Sequence, residues 1–142
     1  QGEYPKALEY HFKALEIREK VLGTEHPDTA QSYNNIGEVY RSQGDYPKAL
    51  EYHFRALEIR EKVLRKEHPD TAQSYNNIGL VYDSQGEYEK AAPYCKAAVI
   101  IFIQVLGENH PNTQIVSNNL CAIYEKLNIS TPFEEWLSDI DL

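Results

Sequence analysis

Cysteine is scarce and methionine is missing. Only Cys95 and Cys121 occur in 142 residues, with no Met at all. Two unpatterned cysteines exclude a disulfide scaffold, and neither belongs to a Cys/His cluster of metal-ligating spacing. They read as buried thiols in a reducing cytosol, which implies a cytoplasmic protein. Basic residues are also few, with 14 Lys and Arg against 22 Asp and Glu, a formal charge of -8 and a pI near 5.1. That balance argues against a nucleic-acid or anionic-membrane surface, both of which need clustered cations. No apolar run is long enough to span a membrane, and no signal peptide or lipidation motif is present. The missing initiator Met, in a chain that opens in the middle of a repeat, points to a piece of a longer protein. Absent targeting signals therefore say little about the parent.

What is present is repetition. Residues 1–42 and 43–84 are nearly the same text, differing only at Glu3/Asp45, Lys13/Arg55, Gly23/Arg65, Thr24/Lys66, Glu38/Leu80 and Arg41/Asp83. A third, worn copy runs from 85 to 126. Self-similarity at this period implies a stacked array, whose function lies on a surface rather than in a catalytic pocket. Length then counts repeats, because each repeat buries its apolar face against its neighbours.

From Ala30 the residues Tyr33, Ile36, Gly37 and Tyr40 recur at helical spacing, as do Tyr46, Ala49, Leu50, Ala56, Leu57 and Leu64 further on. The fold class is thus all-α, built of amphipathic helix pairs. Gly44 is suited to the left-handed end of one helix and Asp45 to the cap of the next. The other connection carries His26-Pro27, His68-Pro69 and His110-Pro111, with proline in the first helical turn and Asp28 at the positive end of the helix dipole. Arg65 replaces Gly23 there. Either this position carries a cost of about 1 kcal/mol for positive φ, or the helix runs one residue longer.

These residues resemble the tetratricopeptide family in its 42-residue form, the kind found in kinesin light chains. Tyr33-Asn34-Asn35-Ile36-Gly37 with Tyr40, Gly44-Asp45-Tyr46 with Ala49, and residues 56–64 followed by His68-Pro69 carry the resemblance. It covers residues 1–126 and implies a right-handed superhelical solenoid of antiparallel pairs. Residues 1–27 would be the second helix of a truncated repeat, 28–69 and 70–110 repeats, and 111–126 the first helix of a last repeat. Residues 127–142 then form a capping helix. Gly37, Ala49 and Ala56 are the small residues that let helices approach closely. His11 and His53 stand where the family usually has a bulky aromatic, with Cys95 in the third copy. They read as half-buried packing residues, the sharper alternative being a pH-sensitive contact.

In this family the first helix of each pair lines the inner surface. The resemblance accordingly places Gln31, Asn34, Glu38 and Arg41 on a peptide-binding groove, continued by Gln73, Asn76, Leu80 and Asp83, then Ile115, Asn118, Ala122 and Glu125. Asn carries both a donor and an acceptor, so a row of them suits the backbone of an extended peptide. Asn35, Asn77 and Asn119 read instead as ties between helices.

The third copy departs most. Where earlier copies have Arg55, Glu58, Arg60 and Glu61 on the outer side, it has Ala97, Ile100, Phe102 and Ile103, leaving a helix apolar nearly all round. Pro93 lies in the early turns of that helix and need not kink it. After 126, Thr131-Pro132-Phe133-Glu134-Glu135 reads as an N-cap and first turn, with Phe133, Trp136, Leu137 and Ile140 on one face. This helix caps the array or detaches from it. Glu135-Trp136 with Asp139 and Asp141 loosely resembles the tryptophan-acidic peptides that kinesin-light-chain repeats bind, although Leu137 follows the Trp.

No nucleophile-base grouping, phosphate loop or metal site is legible, so neither enzyme activity nor a cofactor is expected. The leading reading is a non-enzymatic module that binds a protein or peptide in its groove. The rival is a scaffold that self-associates through its open ends or through Ala97, Ile100, Ile103, Phe133 and Trp136. A third reading is a regulatory repeat region of a larger protein.

Overall fold

The computed structural model describes residues 3–139. Ile140 and Asp141, assigned above to the C-terminal helix, lie outside the described residues. Among the described residues the chain forms seven helices and no strand: α1 (Glu3–Leu22), α2 (Pro27–Gln43), α3 (Tyr46–Val63), α4 (Pro69–Ser84), α5 (Tyr88–Leu106), α6 (Pro111–Leu127) and α7 (Phe133–Ser138). They divide into two compact units at Lys66 and Glu67, the first holding α1–α3 and the second α4–α7.

Helix starts are written by the His-Pro pairs, through a residue that sequence reasoning passed over. His26, His68 and His110 are themselves the N-caps of α2, α4 and α6, in extended backbone. Each imidazole Nδ1 accepts from the backbone N–H two residues on, at 3.0, 3.0 and 3.1 Å. That satisfies a donor the first turn cannot bond internally, while Pro at the next position has no N–H to satisfy.

Helix ends are equally regular. Gly44 takes the left-handed conformation, with its N–H on the Arg41 carbonyl and the Asp45 N–H on the Tyr40 carbonyl. Gly86 repeats this geometry one copy later, and Asn128 stands in for glycine at φ 54° after α6. Asp45 caps α3 by accepting from the Lys48 N–H. The Gly23/Arg65 position resolves towards strain. Helix α3 ends at Val63, so it does not run on, and Arg65 is held at φ 154° where Gly23 has φ 100°.

In the first unit α2 lies against α3 at a point where only glycine fits. A Cβ on Gly37 would sit 2.9 Å from the His53 ring, and His53 is 1% exposed rather than half-buried. The close approach brings Ala30, Ala56 and Ile59 together with Tyr33 against them. It also slides Tyr52 between Tyr33 and Tyr40, with ring centroids 6.1 and 5.6 Å apart. The second unit repeats the arrangement. A Cβ on Gly79 would meet Cys95 Sγ at 2.3 Å and the Ala91 carbonyl at 3.2 Å, and Tyr94 lies 6.4 and 5.9 Å from Tyr75 and Tyr82.

The C-terminal end breaks the pattern. Ser117 replaces the first tyrosine of α6, and Phe133 and Trp136 of α7 pack on the remaining Tyr124 at 5.3 and 5.1 Å. Thr131 is not the cap of α7. Pro132 occupies that position, and the Thr131 carbonyl accepts instead from the Tyr124 hydroxyl. Lys96 fixes α7 from α5, its ammonium 3.9 Å from the Trp136 ring centroid and 3.2 Å from the Asp139 carbonyl. Pro93, sixth in α5, removes one hydrogen bond within that helix.

The apolar character of α5 also has a different meaning from the one read above. Arg60 is buried and donates to Gln31 Oε1 at 2.9 Å, so its column faces inward. Phe102 in that column and Ala97 are buried too, and Ile100 and Ile103 are half-buried.

Gly79→Ala should cost about 1–3 kcal/mol through overpacking, and adding Cys95→Ala should recover part of it, as read by urea unfolding. Arg65→Gly should raise stability by up to about 1 kcal/mol, visible as a higher midpoint in the same assay.

Candidate functional site

The candidate residues of α2 are tied to their own unit. Gln31 donates to Asn35 Oδ1 at 2.9 Å and accepts from Arg60. Asn34 Oδ1 lies 3.0 Å from His53 Nδ1. Arg41, the one cation expected on the groove, holds Glu38 through its Nε at 3.2 Å from each carboxylate oxygen. An Arg-carboxylate fork of this kind neutralises both charges. The stripe on α2 therefore offers amide edges and a closed ion pair.

His53 lies directly behind this stripe. Its Nε2 has no hydrogen-bond partner and faces Glu38 Oε2 at 3.9 Å. Burial disfavours the imidazolium, and this outweighs the attraction of Glu38, with Arg41 and Arg60 adding repulsion, so the His53 pKa falls from 6.5 to about 4. Its position was legible as a family departure, but its contact with Asn34 was not, because the partner lies on another helix. The pairing of His53 with Gly37 and of Cys95 with Gly79 was the available signal. At the equivalent place burial pushes the Cys95 thiol up to about 12, with the nearby Asp83 charge adding to the effect. Both cysteines are free.

The second unit holds two candidate helices. On α4, Gln73 donates to Asn77 Oδ1 at 2.9 Å, which ties Asn77 down much as Asn35 is tied. Asn76 is 3% exposed, so it is not the displayed amide that the sequence suggested. The tight Gly79 crossing draws this part of α4 into the packing. Leu80 and Asp83 are half-buried, and Asp83 accepts from Lys126 at 2.9 Å. On α6 the exposure is reversed. Asn118, Ala122 and Glu125 are exposed, and Ile115 is 58% exposed. The Asp83–Lys126 bond joins the C-terminal ends of α4 and α6, so equivalent positions on the two helices run side by side. Of the residues assigned to self-association, Ala97 is buried, and Phe133 and Trp136 are engaged with Tyr124.

Among the described residues no group of three or more His, Cys, Asp or Glu is arranged to hold a metal ion, and no helix is long and apolar enough to cross a membrane.

The sequence profile of the tetratricopeptide repeat matches residues 1–62, 44–94 and 70–128. No curated protein is significantly similar. Among solved structures, BtubC (BKLC) from P. vanneervenii superposes at a TM-score of 0.79 with 26% identity, covering 89% of this chain and 50% of that one. A putative kinesin light chain of nearly identical TPR-like repeats from Podosopora anserina superposes at 0.79 with 25% identity, covering 89% and 60%. A single-substitution variant of that protein gives the same score and identity. The chain thus spans half to three-fifths of the length of the structures it matches.

Protonating His53 is easier in the unfolded chain, where its pKa is near 6.5, than in the fold, where it is about 4. Stability should be full above pH 6.5 and fall as pH drops towards 4, by up to about 3 kcal/mol. His53→Cys, which copies Cys95, should flatten this slope. Denaturant midpoints at pH 7.5 and pH 5 will show it, and equal slopes in the two proteins would clear His53 of the effect.

Proposed function

We propose that this chain, which belongs to the tetratricopeptide repeat family, is a non-enzymatic protein-binding module that takes a partner segment on the first helices of its pairs. The observation that carries this reading is the exposed stripe Ile115, Asn118, Ala122 and Glu125 on α6, beside Leu80 and Asp83 of α4. An isoleucine more than half exposed offers an apolar anchor, Asn118 offers both a donor and an acceptor, and the exposed Glu125 carboxylate favours a cationic partner, Asp83 being held by Lys126. The stripe on α2, with Gln31, Asn34, Glu38 and Arg41 internally paired, is a separate candidate surface in the first unit, which would bind by exchanging those bonds for bonds to a ligand. A partner would then be a peptide or protein surface with an apolar side chain and nearby basic residues. Cytoplasmic location fits the two free thiols.

Self-association through Ala97, Ile100, Ile103, Phe133 and Trp136 is the weaker reading, since most of that surface is engaged by the chain itself.

Peptides selected from a displayed random library on the intact chain supply the test. Ile115→Glu with Asn118→Ala should weaken their binding about tenfold or more, worth about 1.4 kcal/mol, without shifting the melting temperature. Undiminished binding would move the site off α6.

A further inference from the structure

Helix α5 keeps several packing residues of its earlier copies and changes the side next to α7. Ala91, Tyr94 and Ala98 stand where α3 has Ala49, Tyr52 and Ala56, whereas Glu89, Ala92, Pro93 and Lys96 replace Pro47, Leu50, Glu51 and Phe54. Helix α1 agrees with α3 at all four replaced positions, with Pro5, Leu8, Glu9 and Phe12. The four replacements line one open cavity of about 360 Å³, faced by Leu127, Ile129 and Trp136.

Docking of α7 accounts for Lys96, whose ammonium lies on the Trp136 ring and bonds the Asp139 carbonyl. It does not account for Ala92. Leucine at that position, as in the earlier copies, would carry apolar volume into the wall, and tight packing against α7 calls for more side chain there and not less. The exchange opens a space instead of filling one.

The chemistry of the lining names an occupant. In the earlier copies the acid lies at Glu9 and Glu51, where Lys13 and Arg55 pair with it at 3.2 and 3.6 Å. In α5 the acid has moved one turn back to Glu89, and Ala97 stands in place of the cation. The lysines around it have other partners, Lys90 on Glu87, Lys126 on Asp83 and Lys96 on Trp136. Among the described residues the Glu89 carboxylate therefore has no ion pair. Pro93 adds a second acceptor, since it has no N–H to give the Glu89 carbonyl one turn earlier. A carboxylate and a main-chain carbonyl thus come from one residue, beside an apolar wall. A guanidinium forks onto a carboxylate, keeps further N–H donors for a carbonyl and carries an apolar stem. A lysine ammonium, as a point charge, matches the pair of acceptors less well.

We propose that this cavity is a binding site for an arginine side chain of a partner protein, with its guanidinium on Glu89 and its stem along Ala92, Pro93 and Leu127. The cavity shares no residue with the stripe of α4 and α6, so either reading can fail without the other.

The test uses the full chain and three capped tripeptides, glycine on either side of arginine, lysine or citrulline, followed through amide shifts in NMR titrations. Citrulline keeps the shape of arginine without its charge. The arginine peptide should give saturable shifts at residues 89–96 and at Trp136, with lysine about threefold and citrulline at least about tenfold weaker. Glu89→Gln should weaken the arginine peptide about tenfold, and Pro93→Ala, which gives the Glu89 carbonyl its helical donor back, about threefold. Ala92→Leu restores the side chain of the earlier copies and should abolish binding while helicity and melting temperature are retained. Equal affinity of the arginine peptide and either of the others overturns the proposal, as does binding that Ala92→Leu leaves unchanged. So does a concentration-dependent dimer in sedimentation that Ala92→Leu dissolves, since that gives the cavity to a second copy.

Discussion

A tyrosine held between two tyrosines of the neighbouring helix is the contact on which each unit is organised, and it depends on a glycine. Tyr52 reaches between Tyr33 and Tyr40 because Gly37 lets α2 come down onto the His53 ring. Stacked and tilted aromatic pairs of this kind add about 0.5–1.5 kcal/mol each beyond their buried area. Moving the backbones apart by a methyl group would loosen the rings and the small Ala30 and Ala56 contacts together. Packing in such a repeat is therefore all-or-none along the length of the pair.

The same contact explains why the packing changes at α6. Once Ser117 removes one tyrosine and Cys121 fills the glycine notch, α6 can no longer receive a full-length helix of the α3 kind. Helix α7 brings two aromatic rings to the one tyrosine left, which satisfies Tyr124 with six helical residues instead of eighteen. Lys96, standing where the earlier copies have Phe12 and Phe54, binds the Trp136 ring from outside. Loss of pattern in the third copy is thus adaptation of one helix to another.

Much of the fold was legible because it is local. Helical periodicity, Gly44 with Asp45, and the thrice-written His-Pro pair all act within a few residues, and the structure realises each. Contacts across helices were not legible in the same way. Arg60 looks like an outer, solvated cation in a helical register, yet it turns inward to Gln31, which in turn makes Phe102 a core residue. Thr131 had the right chemistry for a cap, but α7 starts one residue later, at Phe133, and the Thr131 carbonyl is engaged by the Tyr124 hydroxyl. At the candidate site, the register of the stripes followed from the repeat alone. Which amides are displayed did not, since Asn34, Asn76 and Asn118 share a register but have His53, the Gly79 crossing and open solvent beside them.

The unequal cover along the chain sets an order for its loosening. Helix α1 buries only Leu15 among its described residues, whereas α5 buries residues along most of its length, from Ala91 to Phe102. In an array held by nearest neighbours, a helix with one covered face opens at a fraction of the free energy needed to open the whole. Amide protons of α1 should therefore belong to a fast-exchanging foldon that opens without disturbing the tyrosine stacks of the second unit, so that melting proceeds inward from one end as fraying and not as a single collapse.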